Sequence, residues 1–243
     1  MPTVLLLGAA SDMSVAIARK FAKEGYNLQL AARNVQRLKP MQSDLSIRYQ
    51  ASCDLIEFDA LNFQSHASFF QNLSPKPDVV ISVFGYLGEN ESARQDWKEA
   101  EKIIHSNYTG ALSILNIVGN YFLEQKKGTI VGISSVAGER GRQSNYIYGS
   151  AKAGFTEYLS GLRNRLYPAG VHVVTVKPGF VYTRMTENIK LSPLLTAKPE
   201  DVADAVYSAV KNKKNVIYVK WFWRWIMLII KSIPEFMFKK LKL

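Results

Sequence analysis

Tyr148 and Lys152 stand four residues apart at the end of VGISSVAGERGRQSNYIYGSAK, residues 131–152. On a helix that spacing puts both side chains on one face. An ammonium beside a phenol favours the phenolate, so a group of ordinary pKa about 10 can exchange protons near neutral pH. Ser135 lies thirteen residues before Tyr148, at the end of an apolar run, Thr129–Ile133, that reads as a strand. A strand end, a loop and a helix bring side chains together on a ligand. A Tyr–Lys pair alone is common surface decoration, so its meaning depends on the frame.

That frame alternates. Apolar runs at Thr3–Gly8, Tyr26–Ala32, Asp54–Phe58, Asp78–Val83, Thr129–Ser134, Val171–Val176 and Val216–Val219 read as strands. Helical patterns fall between them, at Met13–Gly25, Val35–Leu45, Phe63–Leu73, 92–106, 109–125, the segment carrying Tyr148 and Lys152 up to Tyr167, and Pro199–Lys211. Residue Asn107 separates two of these patterns and predicts an interruption there. Strands and helices in this rhythm predict an α/β domain, residues 1–219, with a doubly wound, seven-stranded parallel sheet and ligands at the strands' carboxyl ends. Residues 184–197 lack periodicity and are expected to form a mobile flap over the cleft.

A chain of 243 residues with 47% hydrophobic and 21% charged residues suits one globular core. The single cysteine, Cys53, fits a reducing compartment, and a cytoplasmic location is expected. His66, His105 and His172 have no ligand spacing, so no metal site is expected. The net charge of +11 is unevenly placed: Lys220, Arg224, Lys231, Lys239, Lys240 and Lys242 face one acid, Glu235, in residues 220–243. That tail begins KWFWRWIMLII, too short and interrupted to span a bilayer. Trp221, Trp225, Leu228 and Ile229 share a helical face beside a Lys220–Arg224–Lys231 stripe, while Phe222, Trp223 and Ile226 fill the remaining circumference. Tryptophans flanked by lysines predict a membrane-surface anchor, on the cytoplasmic face, rather than a nucleic-acid site; a subunit interface is the alternative.

Gly8 ends the first strand, and Ser11 or Asp12 can cap a helix beginning near Met13. Such a turn aims backbone N–H groups at a pyrophosphate, although Asp12 and Ser14 occupy the places of further glycines. Arg33, at the end of the second strand, can pair with a ribose 2′-phosphate, which favours NADP(H) and leaves NAD(H) open.

Gly8, Asp59, Asn107, Ser135, Tyr148, Lys152 and PGFVYT (Pro178–Thr183) occur in the order and spacing of the short-chain dehydrogenase/reductase family, which residues 3–219 resemble. The resemblance implies a Rossmann-like NAD(P)-binding domain and a homodimer or homotetramer paired through the helices at 92–125 and 144–167. It implies Tyr148 as acid/base, Lys152 as its modulator and ribose ligand, Ser135 as carbonyl-orienting hydroxyl, and Asn107 as holder of a relay water. Gly8, Ser11, Asp12, Met13, Asp59, Ala60 and Gly85 would meet the nucleotide, and Pro178, Gly179, Val181 and Thr183 its nicotinamide end. Two departures stand out: LGAASDMS replaces the usual TGxxxGxG, and Ser82-Val83-Phe84-Gly85 replaces NNAG, with Phe84 free to line the adenosine side or to pack.

SSVAGERGRQSNYIYGSAKAG, GLRNRL and VKPGFVYTRMT are similar to the subgroup that includes decaprenylphosphoryl-2-keto-erythro-pentose reductase. That similarity implies a keto-sugar on a polyprenyl phosphate as substrate. Arg140 and Arg142, just before the catalytic helix, can meet a phosphate or stay solvated. A reductase of free lipid ketones and a non-catalytic cofactor-binding membrane scaffold are the rival readings.

Overall fold

The computed structural model describes residues 1–187 and 192–241. Its elements run β1 (Thr3–Leu7), α1 (Asp12–Lys23), β2 (Asn27–Ala32), α2 (Lys39–Tyr49), β3 (Cys53–Glu57), α3 (His66–Gln71), β4 (Val79–Ser82), α4 (Asn90–Gln95) and α5 (Trp97–Ile104). They continue with α6 (Gly110–Gln125), β5 (Thr129–Ile133), α7 (Tyr146–Leu166), β6 (His172–Pro178), β7 (Phe180–Val181), β8 (Thr196–Ala197), α8 (Pro199–Lys211), β9 (Val216–Val219), α9 (Trp223–Ser232) and α10 (Glu235–Phe238). Seven strands form one parallel sheet in the order β3-β2-β1-β4-β5-β6-β9. Order reverses between β1 and β4, so their carboxyl ends diverge and open a crevice there.

β1 carries TVLLL and is buried on both faces, as a central parallel strand must be. Leu6, Val4 and Ile81 pack on the side of α1 and α8, whereas Leu5, Leu7 and Val80 pack on the side of α6 and α7. The helix carrying Tyr148 is fixed by polar ties as well as packing. Arg163 of α7 donates to the Val173 and Asn215 carbonyls, and Ser134 at the end of β5 donates to the Lys152 carbonyl at 3.0 Å.

Several expected boundaries move. The pattern at 92–106 is two helices, because Asp96 is extended and its carboxylate caps α5 by accepting from Lys98 N–H at 2.9 Å. The pattern at Val35–Leu45 begins as a 3₁₀ turn, and α2 runs on to Tyr49. The interruption near Asn107 is a π turn, His105–Thr109, of the kind that recurs at functional sites. The described ends of the expected flap are held: Arg184 is bonded to Asp12, and Thr196–Ala197 pairs with Phe180–Val181 in a small parallel sheet. The part of the expected flap at 188–191, and the last two tail residues with Lys242, lie outside the described residues.

The tail does not hang free. Trp223 and Met227 are buried with Val136, and Phe222, Ile226 and Ile230 pack around them. The part of the circumference that made this segment too apolar for a surface helix is therefore its inner face. Glu139 accepts from Lys177 and Tyr218 and lies 3.6 Å from Lys231, while Arg140 pairs with Glu235 at 2.7 Å. Two ion pairs thus hold the tail against the loop after β5.

Candidate active site

The crevice has two compartments. A small cavity of about 140 Å³ lies at the ends of β5 and β6, with Ser135, Tyr148 and Lys152 in its wall. An adjoining groove of about 600 Å³ runs across the ends of β1, β2 and β4. Gly85, Met13 and Thr183 border both.

In the cavity, Ser135 is held extended, with its hydroxyl accepting from Ala137 N–H at 3.1 Å. Tyr148 lies on the first turns of α7, and Lys152 follows one turn later. The Lys152 ammonium donates to the Ile133 carbonyl at 3.0 Å and sits 5.8 Å from the centre of the Tyr148 ring. Only 4% of Lys152 is exposed. Burial brings its pKa down to about 8, and burial pushes Tyr148 up to about 12, against the opposing hydrogen bond to Ser135. Burial disfavours the charged form of both groups, and so works against the phenolate that a neighbouring ammonium would favour. A protonated phenol donates a proton to a strongly basic oxygen and does not take one from a neutral alcohol unaided.

Asn107 lines neither compartment. It is 1% exposed, and its amide donates to the Tyr86 and Ile103 carbonyls at 2.6 and 2.8 Å. A Cβ on Gly85 would come within 2.7 Å of Asn107 Oδ1 and 3.4 Å of Lys152 Nζ. Asn107 therefore clamps the loop after β4 against the lysine, with its side chain committed to backbone.

The groove gathers Gly8, Ser11, Asp12, Arg33, Asp59 and Ala60 along one trough. Gly8 has φ +90°, and a Cβ there would lie 2.7 Å from Phe84, so the turn needs glycine for close packing as well as conformation. Phe84 both borders the groove and packs on Phe58, 5.8 Å between ring centres. Ser11, rather than Asp12, caps α1 by accepting from Ser14 N–H. Ser14 Oγ donates to the Gly8 carbonyl at 2.8 Å, closing the turn where a glycine would otherwise stand.

Asp12 is not an exposed carboxylate facing a phosphate. Arg184 grips it through backbone N–H at 2.7 Å and Nε at 3.2 Å, and reaches the Ala10 carbonyl at 2.6 Å. The acid is neutralised by a partner 172 residues away, which removes the objection to a pyrophosphate at this turn. Asn34 takes a left-handed conformation because Glu57 accepts from the Asn34 and Val35 N–H groups, and this turn presents Arg33 and Arg37 together at the groove's end. Arg37, Lys102 and Arg184 are basic groups at the groove that the sequence reading did not assign to it.

Pro178, Gly179 and Val181 stand in the cavity wall with Phe180 and Trp223. The Val181 carbonyl accepts from Thr186 Oγ1 at 2.7 Å, and Thr183 N–H donates to the same hydroxyl at 3.2 Å. Trp223, from the tail, is the unexpected member. It donates to the Leu195 carbonyl at 3.1 Å, and a Cβ on Gly179 would fall 2.0 Å from its ring. Arg142 also borders the cavity, whereas Arg140 is taken up by Glu235 and the Phe238 ring. The two arginines, for which phosphate contact and plain solvation were both open, are separated by the tail: Arg140 is paired with it and Arg142 borders the cavity.

The trough fits a dinucleotide: backbone N–H groups at Asp12 and Met13, arginines at one end and Lys152 at the other supply donors along its length without a free carboxylate at the turn. An uncharacterized oxidoreductase of Mycobacterium tuberculosis is 33% identical over 241 residues, 98% of this chain and 96% of its own length. The ketoacyl reductase HetN of a Nostoc species is 30% identical over 225 residues, 89% of this chain and 78% of its own. A short-chain dehydrogenase from Sphingobium yanoikuyae, solved in complex with NADPH, superposes with a TM-score of 0.83 over 97% of each chain at 23% identity. Residues 2–193 match the short chain dehydrogenase family model, and with relatives aligned almost end to end the chain belongs to that family of NAD(P)-dependent oxidoreductases.

Proposed function

We propose that the protein uses NADPH to reduce a ketone to an alcohol, with Tyr148 giving the proton. The observation that carries this reading is the convergence of Tyr148, Ser135 and Lys152 in the wall of one cavity, with the Lys152 ammonium 5.8 Å from the centre of the Tyr148 ring. A reduced nicotinamide, when bound, supplies hydride to the carbonyl carbon. Ser135 and Tyr148 donate hydrogen bonds to the carbonyl oxygen and polarise it. As the C–H bond forms, the carbonyl π pair moves onto oxygen, and the Tyr148 proton crosses to it. Lys152, charged below about pH 8, lies close enough to stabilise the phenolate left behind. Arg33 and Arg37 favour a 2′-phosphate, hence NADPH over NADH.

The substrate we propose is a keto-sugar joined to a polyprenyl phosphate. Apolar walls from Leu87, Val136, Phe180, Met185 and Trp223 suit a lipid, and Ser135, Asn145 and Arg142 among them suit a polar head. A free 3-ketoacyl or other lipid ketone is the second reading, favoured by the likeness to a ketoacyl reductase. Membrane contact fits either. Trp221, Trp225 and Ile229 are 74%, 55% and 67% exposed on the outer side of the tail, amid Lys220, Arg224 and Lys231. No helix among the described residues is long and apolar enough to cross a bilayer, and in this proposal the exposed face lies on the membrane surface, on the cytoplasmic side. Self-association through α6 and α7 remains part of the proposal.

NADPH consumption with a ketone panel tests the chemistry. Tyr148→Phe should cut kcat by about 10³-fold while NADPH still binds; turnover that survives this change would remove Tyr148 from the reaction. Absence of any turnover in the parent protein, with NADPH bound, would favour the scaffold reading. Co-sedimentation with phosphatidylglycerol vesicles, against phosphatidylcholine, tests the tail. Trp225→Ser with Ile229→Ser should abolish pelleting; a change in subunit number instead would identify an oligomer interface.

A further inference from the structure

We propose that Arg142 is the recognition site for an anionic group on the substrate, a carboxylate or a phosphate ester. The inference rests on the reductase reading, because the same cavity holds Tyr148 and Ser135.

Arg142 reaches the cavity from the loop between β5 and α7, and its environment lacks what a guanidinium needs. Its Nη2 is 3.3 Å from the Met227 thioether, a weak acceptor, and its Nε is buried with no hydrogen-bond partner. Among the described residues no carboxylate pairs with it. The acids nearest in sequence and on the tail are occupied: Glu139 by Lys177, Tyr218 and Lys231, and Glu235 by Arg140. The cavity wall contains Arg142 and Lys152 and no Asp or Glu. Burial weakens the hold of Arg142 on its proton, with no acid opposing the effect, yet arginine stays charged. A half-buried guanidinium whose Nε has no partner is left short of hydrogen bonds that an arriving anion can supply.

The geometry also explains why arginine stands there. A planar fork accepts two oxygens of a carboxylate or phosphate at once, fixing a ligand's orientation as well as its charge. With the anion at Arg142 and the carbonyl between Ser135 and Tyr148, one molecule is held at two points in a cavity of about 140 Å³. Arg142 is thus a specificity residue, and the tail helix covers one side of it through Met227.

The test is calorimetric titration of the full chain loaded with NADPH, in physiological salt, with hexyl phosphate, hexanoate and 1-hexanol. At least one anion should bind about tenfold or more tighter than hexanol, and the stronger anion identifies the headgroup chemistry. Arg142→Met should erase that preference, and Arg140→Met should preserve it, which separates the cavity from the basic tail. No anion preference in the parent, or one unchanged by Arg142→Met, overturns the proposal. Kinetics with 7-oxooctanoate and its methyl ester give a second readout: Arg142→Met should raise KM for the acid alone, with kcat unchanged. If the parent reduces both compounds alike, and the variant does too, the anion site falls and the reductase stands. If neither is reduced but anion binding depends on Arg142, the reductase reading falls and the anion site stands.

Discussion

The groove proposed for the nucleotide, at about 600 Å³, is wide and carries exposed charges, whereas the cavity beside it, at about 140 Å³, holds one buried and one half-buried cation. Arg33 and Arg37 stand in solvent at the groove's end, and the Asp12–Arg184 pair is more than a quarter exposed on both sides. Such charges are screened, and each contributes modestly. Lys152 and Arg142 face apolar neighbours and Tyr148, and there desolvation decides protonation. One region collects affinity from many weak contacts; the other concentrates it in a few groups that are costly to bury.

Breaking the contrast should show its size. Lys152 titrates at about 8 in the folded chain against 10.5 when exposed. Its charged form is thus disfavoured by folding, a cost fully present below pH 8, relieved between pH 8 and 10.5, and absent above. Lys152→Met should stabilise the nucleotide-free protein by roughly 3 kcal/mol at pH 7, and denaturant melts above pH 10.5 should show no gain. Gly179→Ala comes next, since its methyl must displace Trp223 and shift the cavity wall. A fall in kcat/KM of about 100-fold is expected, with altered tryptophan emission and little change in NADPH affinity. Arg33→Ala should be mildest: about tenfold weaker NADPH binding, unchanged NADH binding, and a difference that shrinks with salt. Equal losses for both nucleotides would sink the 2′-phosphate assignment.

Most of this scaffold was legible because buried parallel strands are continuous apolar runs, as in Thr3–Leu7 and Val79–Ser82. Tyr148, Lys152 and Ser135 were legible because helix period and strand end bring them near each other within eighteen residues of chain. Partners far apart in sequence were not. Nothing local marks Arg184 as the neutraliser of Asp12, or Glu235 as the acid that takes Arg140 out of the cleft. The Asp96 break was missed because apolar spacing continues across it. For Trp223, helical spacing separated it from Trp225 but did not reveal which of the two faces inward. The pull of burial on Tyr148 was not legible, because proximity to Lys152 is visible in spacing and desolvation is not.

Trp223 follows β9 by only four residues, so the cavity wall is made after every element bordering the groove. Arg184 closes the groove thirty-nine residues before Trp223 is added. The trough thus takes its lining from the chain up to Met185 and the cavity wall from the tail as well, so a change in the tail reshapes the place of the substrate and leaves the groove's own lining untouched.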